Sequence, residues 1–324
     1  MRVLITGVTG FVGHYLADYI ANVAPEAKVW GLVSDAEPGE APHTVTAVSG
    51  DLTDFPSLVA AVEQARPEIA FHLAASSSVS SSWERPGRVL EVNAVGTVNF
   101  LEALRMLGEA PRVVVSSSAE IYGPVPADLQ PIREDSPLRP VSPYAVSKAS
   151  LDLIAAQYHD GFGLPTVRLR LFPHTGPGRS FQFVASSFAR QIARIERGLS
   201  PPRLAAGNLD AIRDFSDVRD VVHAYWLAAT DGRAGEAYNV CSGRGVAIRD
   251  MLGLLLGRSP AEIEIEVDPG RLRPADIPML VGDGSRFAAM TGWRPEIPLE
   301  QTLDDLLDWW RSEVSDQKKV TSDQ

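Results

Sequence analysis

One cysteine in 324 residues, Cys241, leaves no internal disulfide framework. It fits a reducing compartment and reads as a small buried apolar residue. Cationic excess is missing as well. Thirty Lys and Arg stand against 41 Asp and Glu, a net charge of −11. That balance disfavours a nucleic-acid partner, which needs a basic face. An anionic ligand must be met by local arginines or backbone amides. No apolar run approaches the roughly 18 residues of a membrane span. The opening "MRVLITG" carries no signal-peptide pattern. The expectation is a cytoplasmic protein with no membrane partner. The six histidines show no metal-ligand spacing, so no metal is expected. There is no internal repeat.

What is present is enough chain and apolar content, 45%, for one large domain or two moderate ones. The first half alternates. "RVLIT" (2–6), "KVWGLV" (28–33), "HTVTAV" (43–48), "EIAFHLA" (68–74) and "PRVVVSS" (111–117) read as strands. Helical spacing fills 11–23, 54–65 with Asp54 as N-cap, and 87–107. Strands alternating with helices predict right-handed crossovers and a doubly wound parallel α/β sheet of Rossmann type. After about residue 175 Pro and Gly thicken, as in "FPHTGPG" (172–178) and "DPGRLRP" (268–274), with helical segments at 184–197 and 300–312. A smaller, irregular α/β substrate-binding domain is expected there. Residues 220–243 read as a helix and strand rejoining the first domain. The division is 1–175 with about 217–243 for the dinucleotide domain, and about 176–216 with 244–314 for the second. Polar residues 315–324 read as a disordered tail.

"LITGVTGFVG" puts Gly7, Gly10 and Gly13 after a strand and at a helix start. Gly7 permits a tight turn, Gly10 lets backbone approach a pyrophosphate, and Gly13 lets helix and strand pack closely. Phe11 and Val12, between the last two glycines, join the candidate cofactor set. The helix N-terminus offers free N–H groups and partial positive charge. The segment "VSDAEPGEAP" (33–42) has no Lys or Arg and three acids. A 2′-phosphate would meet negative charge there, so NAD(H) is favoured and NADP(H) remains open, with Asp35 a candidate for the ribose hydroxyls. "GDL" (50–52) offers Asp51 and Leu52 for the adenine edge.

"VSPYAVSKAS" (141–150) carries the sharpest chemistry. Ser142 suits an N-cap and Pro143 a first helical residue. Tyr144 and Lys148, four apart, share a helical face. Free tyrosine, with a pKa near about 10, is a poor acid–base group at neutral pH; a nearby lysine cation is expected to lower it. Lys148 can also hold a nicotinamide ribose. Tyr144 then gives a proton to a carbonyl oxygen as hydride arrives, or takes one in reverse. A Tyr-x-x-x-Lys pair is common by chance on amphipathic helices. Here it follows a glycine cradle and a serine-bearing strand end, "SSSAEIYG" (116–123), with a lone carboxylate at Glu120.

"GVTGFVG", "LAASSSV", "SSSAEIYG" and "YAVSK" resemble the extended short-chain dehydrogenase/reductase family over about residues 1–312. "GNLDAIRDFSDVRDVVHAYW", "YNVCSG", "LRPADIP" and "TGWRPEIPLE" resemble its branch acting on GDP-6-deoxyhexoses. The resemblance implies NAD(P)H-dependent reduction of the 4-keto group of a GDP-4-keto-6-deoxyhexose. A 4,6-dehydratase, a 4-epimerase and a non-catalytic dinucleotide sensor stay open. It assigns Ser118 the catalytic serine role beside Tyr144, Lys148 and Glu120, sets Ala74 and Ala75 against the dinucleotide, brings Ser82 to the sugar, and implies a homodimer through helices near 94–107 and 144–160. Where the family usually has Asn, this chain has Pro173, without N–H or amide; His174 is the candidate to compensate. Val184 joins the substrate set. Guanidinium forks match phosphate oxygens, so Arg213 and Arg273 are the first candidates for the diphosphate, ahead of Arg190 and Arg179.

Overall fold

The computed structural model describes residues 1–34, 39–272 and 275–322, with side chains to 315. The main strands are β1 (Arg2–Thr6), β2 (Lys28–Val33), β3 (Thr46–Ser49), β4 (Ile69–His72), β5 (Arg112–Ser118) and β6 (Thr166–Leu171). Short strands follow: β7 (His174–Thr175), β8 (Arg203–Ala206), β9 (Ile212–Asp214) and β10 (Ser216–Asp217). Then come β11 (Ala237–Val240), β12 (Gly245–Ala247), β13 (Glu264–Val267) and β14 (Met279–Leu280). Helices are α1 (Phe11–Val23), α2 (Phe55–Ala65), α3 (Val79–Ser82), α4 (Pro86–Leu90), α5 (Gly96–Met106) and α6 (Pro143–Phe162). They continue with α7 (Val184–Glu196), α8 (Val218–Thr230), α9 (Ile248–Leu256), α10 (Ser285–Thr291) and α11 (Leu299–Ser322).

Among the described residues, seven strands form one parallel sheet in the order β11-β6-β5-β4-β1-β2-β3. Period-two alternation explains why helices cover both faces. In β1, Val3 and Ile5 point into one core with Leu16 and Ile20 of α1 and Val221 and Tyr225 of α8. Leu4 points the other way, into a core with Leu58 of α2, Phe100 of α5 and Leu151 of α6. Strand order reverses between β1 and β4, and ligands of such sheets bind at the carboxyl ends of strands beside that reversal. As the sequence predicts, α8 and β11 return to this sheet, with β11 beside β6. A separate core joins Phe188 of α7, Leu204 of β8, Leu252 of α9, and Leu306 and Trp310 of α11. This is the smaller, irregular α/β part of the fold.

Several local expectations change. The strand predicted over 43–48 forms only over β3. Asp54 holds the N-cap position of α2 without a side-chain cap bond. The helix predicted over 87–107 is three pieces, α4, a π-helical turn Glu91–Val95 and α5. Asn93 in that turn receives a bond from Ser76 N at 2.7 Å and donates to Ser147 Oγ at 2.8 Å. Helix α11 runs on to Ser322, into the polar segment expected as a tail. Helical hydrogen bonds are local, and Gln and Lys are fair helix formers without any apolar partner.

Gly13 is where α1 meets β1. A Cβ there would lie 2.6 Å from Val8 Cα and clash with Gly7 O. Gly13→Ala should lower stability by roughly 1–3 kcal/mol, the usual range for overpacking. A urea unfolding midpoint equal to wild type would refute this close approach.

Candidate active site

The glycine turn follows β1. Gly7 has φ +70°, and a Cβ on it would sit 2.7 Å from Ala74 N. Gly10 caps α1 with no side-chain bond, so no side chain competes for the first helical N–H groups. The cradle therefore fits a pyrophosphate. Val12 and Ala75 line a cavity of about 240 Å³ at the strand ends. Ala74 abuts the glycine turn instead and gives its N–H to Thr6 Oγ1 at 3.2 Å. Asp51 accepts from Thr53 N, Thr53 Oγ1 and Ser34 Oγ, each at 2.7 Å. Those bonds, Thr53 first, hold its carboxyl below the usual carboxylate range. The Leu52 side chain is buried against Gly96 in the core, so only its backbone could meet an adenine edge. Asp35 lies outside the described residues.

The same 240 Å³ cavity collects Ser118, Glu120, Tyr144, Lys148, Pro173 and His174. Local sequence explains how. Ser142 Oγ accepts from Ala145 N at 3.1 Å, which starts α6 where Tyr144 and Lys148 face the sheet. Ser118 ends β5, and its Oγ accepts from Glu120 N at 3.2 Å. Ser118 also hydrogen-bonds Tyr144.

The electrostatics differ from the sequence expectation. Burial pushes the Tyr144 phenol up to about 12; Ser118 and Arg179 oppose the rise, while Glu120 adds to it. Lys148 does not lower it. Its Nζ donates to Ser116 O at 2.7 Å, and burial brings its own pKa down to about 8. Desolvation here outweighs the ammonium's attraction. His174 is neutral, pushed down to about 3 by burial and then by Arg179. Its Nδ1 meets Phe172 O at 3.2 Å, so Nδ1 carries the proton and Nε2 is left as an acceptor.

A second cavity, about 850 Å³, opens alongside. Arg190, Arg194, Arg203, Arg213 and Arg271 line it with Trp83 and Asn208. Arg213 and Val184 border both cavities. Arg213 is buried and meets Asp276 at 3.0 Å. Arg190 stacks over Phe181 at 4.3 Å. Arg273 lies outside the described residues. Ser82 stands off both walls: its Oγ donates to Val79 O at 2.6 Å, the residue is buried, and it borders neither cavity. The turn of α3 points it inward, while Ser78 and Ser80 face the smaller cavity. Arg194, Arg203 and Arg271 were missed, since isolated arginines carry no motif; only the neighbourhood of "RLRP" hinted at Arg271. Arg179 borders the smaller cavity and not the larger. Among the described residues, no three His, Cys, Asp or Glu side chains are grouped to hold a metal, and no helix is long and apolar enough to cross a membrane.

Residues 4–306 match the family model described as GDP-mannose 4,6 dehydratase. The chain belongs to this family. Within the GDP-mannose 4,6-dehydratase family it is 37% identical to a GDP-6-deoxy-D-mannose reductase of Pseudomonas aeruginosa, across 98% of this chain and 99% of that one. It is 30% identical to a GDP-mannose 4,6-dehydratase of Vibrio cholerae, across 94% and 92%. The structure of RMD from Pseudomonas aeruginosa complexed with NADPH superposes with TM-score 0.85 at 35% identity, over 97% of this chain and all of that one. A Thermus thermophilus UDP-glucose 4-epimerase complex with NAD gives 0.86 at 32%, over 96% and 99%.

The Tyr144 shift is directly testable. In the wild type minus Tyr144→Phe ultraviolet difference spectrum, no phenolate band should appear near the ordinary tyrosine midpoint of about 10. A midpoint at or below that value would show that burial does not control this phenol.

Proposed function

We propose that this protein reduces the 4-keto group of a GDP-4-keto-6-deoxyhexose, turning GDP-4-keto-6-deoxy-D-mannose into GDP-D-rhamnose. The observation that carries the reading is that Tyr144, Ser118, Lys148 and Glu120 share the wall of one cavity beside the glycine cradle. The higher identity to a reductase than to a dehydratase supports the same choice.

The glycine cradle of Gly7, Gly10 and Gly13 would hold a nicotinamide dinucleotide, which when bound would supply the hydride for the reduction. NADPH or NADH can serve, as neighbours of this fold carry one or the other. The preference for NAD(H) rests on the absence of cations over 33–42. Ser118 Oγ hydrogen-bonds the 4-oxygen and holds it against Tyr144. Tyr144 gives that oxygen its phenolic proton, leaving a phenolate. Lys148, on the wall of the same cavity, would hold the nicotinamide ribose, and solvent restores the proton to Tyr144. Glu120 hydrogen-bonds the sugar. The nucleotide diphosphate enters the larger cavity, where Arg213, Arg190 and their neighbours meet its charge. His174, next to Pro173 at the family's asparagine position, offers the side-chain acceptor that proline lacks.

Residues 1–175 with 217–243 form the dinucleotide unit in this reading, and 176–216 with 244–314 the sugar-nucleotide unit. A homodimer is supported by exposed apolar side chains near α5 and on α6, among them Val95, Val98, Met106, Leu153 and Phe162. The lone, buried, free Cys241 supports a cytoplasmic site of action.

A dehydratase is the second reading, because Glu120 borders the cavity and the family model bears that name. Product analysis separates the two. The wild type should consume one NAD(P)H per GDP-4-keto-6-deoxymannose and leave GDP-mannose unchanged. Tyr144→Phe should slow this at least about a hundredfold with cofactor binding retained. Conversion of GDP-mannose without added cofactor would give the dehydratase reading instead.

Arg213→Ala should weaken GDP binding by roughly 1.5–3 kcal/mol, the scale of a charged hydrogen bond. Unchanged affinity in a calorimetric titration would remove Arg213 from the diphosphate site.

A further inference from the structure

Arg179 is a half-buried cation that has no carboxylate partner among the described residues. Its guanidinium carbon stands 3.4 Å from the centre of the Phe183 ring and 4.9 Å from that of Phe11. Its Nε is buried and bonded to nothing. Among the described residues no carboxylate comes within ion-pair distance of it. Burying a guanidinium this way costs free energy, and burial alone brings its pKa down to about 10. Aromatic faces return part of that cost. They leave the in-plane N–H donors uncommitted. Unsatisfied buried donors in a native structure call for a ligand or another explanation.

The location narrows what the ligand is. Arg179 ends the segment 176–179, which lies against the start of α1. Tyr15 of α1 donates to Pro177 O at 2.9 Å, and a Cβ on Gly176 or Gly178 would touch the Phe11 ring at 3.9 or 4.0 Å. Arg179 O is tied from the other side by the Ser186 hydroxyl of α7. The guanidinium is thus strapped over Phe11, the first residue of the helix whose free N–H groups form the cradle. It borders the small cavity with Tyr144 and Lys148, and it is absent from the wall of the large cavity with its five arginines.

We propose that Arg179 closes the cradle from the opposite side, as the cationic wall of the site for the dinucleotide's pyrophosphate. The geometry is a two-sided grip. Backbone amides of α1 and the helix dipole approach the phosphates from one side, and a guanidinium approaches from the other. The pyrophosphate is common to both nicotinamide dinucleotides, so the grip strengthens both equally and leaves the choice between them to the end of β2. This rests on the dinucleotide-dependent reading above. It moves Arg179 from the sugar-nucleotide diphosphate, where sequence alone put it, to the cofactor.

The test is calorimetric binding without turnover, using NADH, NADPH, ADP-ribose and GDP on wild type, Arg179→Met and Arg179→Gln. Met keeps an apolar stem between the two rings, so thermal midpoints taken first identify any variant that is merely unfolded, and the folded one decides. NADH, NADPH and ADP-ribose should each lose roughly ten- to a hundredfold in affinity by the same factor, the scale of one charge-assisted contact. GDP affinity should be unchanged. Selective weakening of GDP would assign Arg179 to the substrate and overturn the proposal, as would equal affinities throughout. Loss of NADH binding with ADP-ribose unaffected would place the contact at nicotinamide and overturn it too. A wild type that binds neither dinucleotide would instead bring down the reductase reading itself.

Discussion

The carboxylate of Asp152, wholly buried on α6 one turn beyond Lys148, ties the chemistry to the sheet. It accepts from Arg170 Nε and Nη2 at 3.0 Å each and from Arg168 Nη1 at 3.1 Å, both arginines standing on β6. Arg170 also donates to Tyr122 Oη at 3.0 Å, and Tyr122 donates to Asn239 Oδ1 at 2.7 Å on β11. One carboxylate thus sets the rotation and the height of α6 over β5, β6 and β11. Tyr144 and Lys148 reach the cavity from that helix, and Ser118 reaches it from β5. Removing one partner of such a network leaves a buried charge, a cost on the order of 3–5 kcal/mol. The site is positioned by charges that never touch a substrate.

Burial governs the site itself. It raises Tyr144, lowers Lys148 and His174, and lowers Arg179. Each shift favours the neutral form, as desolvation must. A protein with a net charge of −11 that handles polyanions needs its cations grouped locally. Two groups are present: five arginines around the large cavity and Arg179 with Lys148 at the small one. Arg213, at the border of both, joins a site suited to a nucleotide diphosphate to one suited to a sugar and a nicotinamide. That adjacency is what a nucleotide-sugar oxidoreductase requires, because the reacting carbon 4 lies across the ring, three bonds from the anomeric carbon that carries the diphosphate.

The reading of individual residues from sequence divides along a physical line. Gly7, Gly10, Gly13, Ser142, Tyr144 and Lys148 were legible because their roles depend on neighbours within one turn of chain: a positive φ, a cap, a pair on one helical face. The directions of the Ser82 and Leu52 side chains were not legible, because a motif or a strand end names a position and not the direction of a side chain. Four residues of helix turn Ser82 inward, and Gly96 on a distant helix makes the space into which Leu52 packs.

Alternation of strand and helix, the glycine spacing and the Tyr-Lys pair determined by themselves the parallel sheet, the tight glycine turn at a helix start and a Tyr and a Lys on one helical face, since each follows from periodicity or local geometry. Only the tertiary structure decided the proton affinity of Tyr144 and the place of Arg179. Proton affinity depends on how much water the surrounding elements exclude, and that is a property of α6, β5 and β6 packed together. Arg179 lies nearly 170 residues from Phe11 along the chain, and no spacing rule connects them; the fold brings them to 4.9 Å.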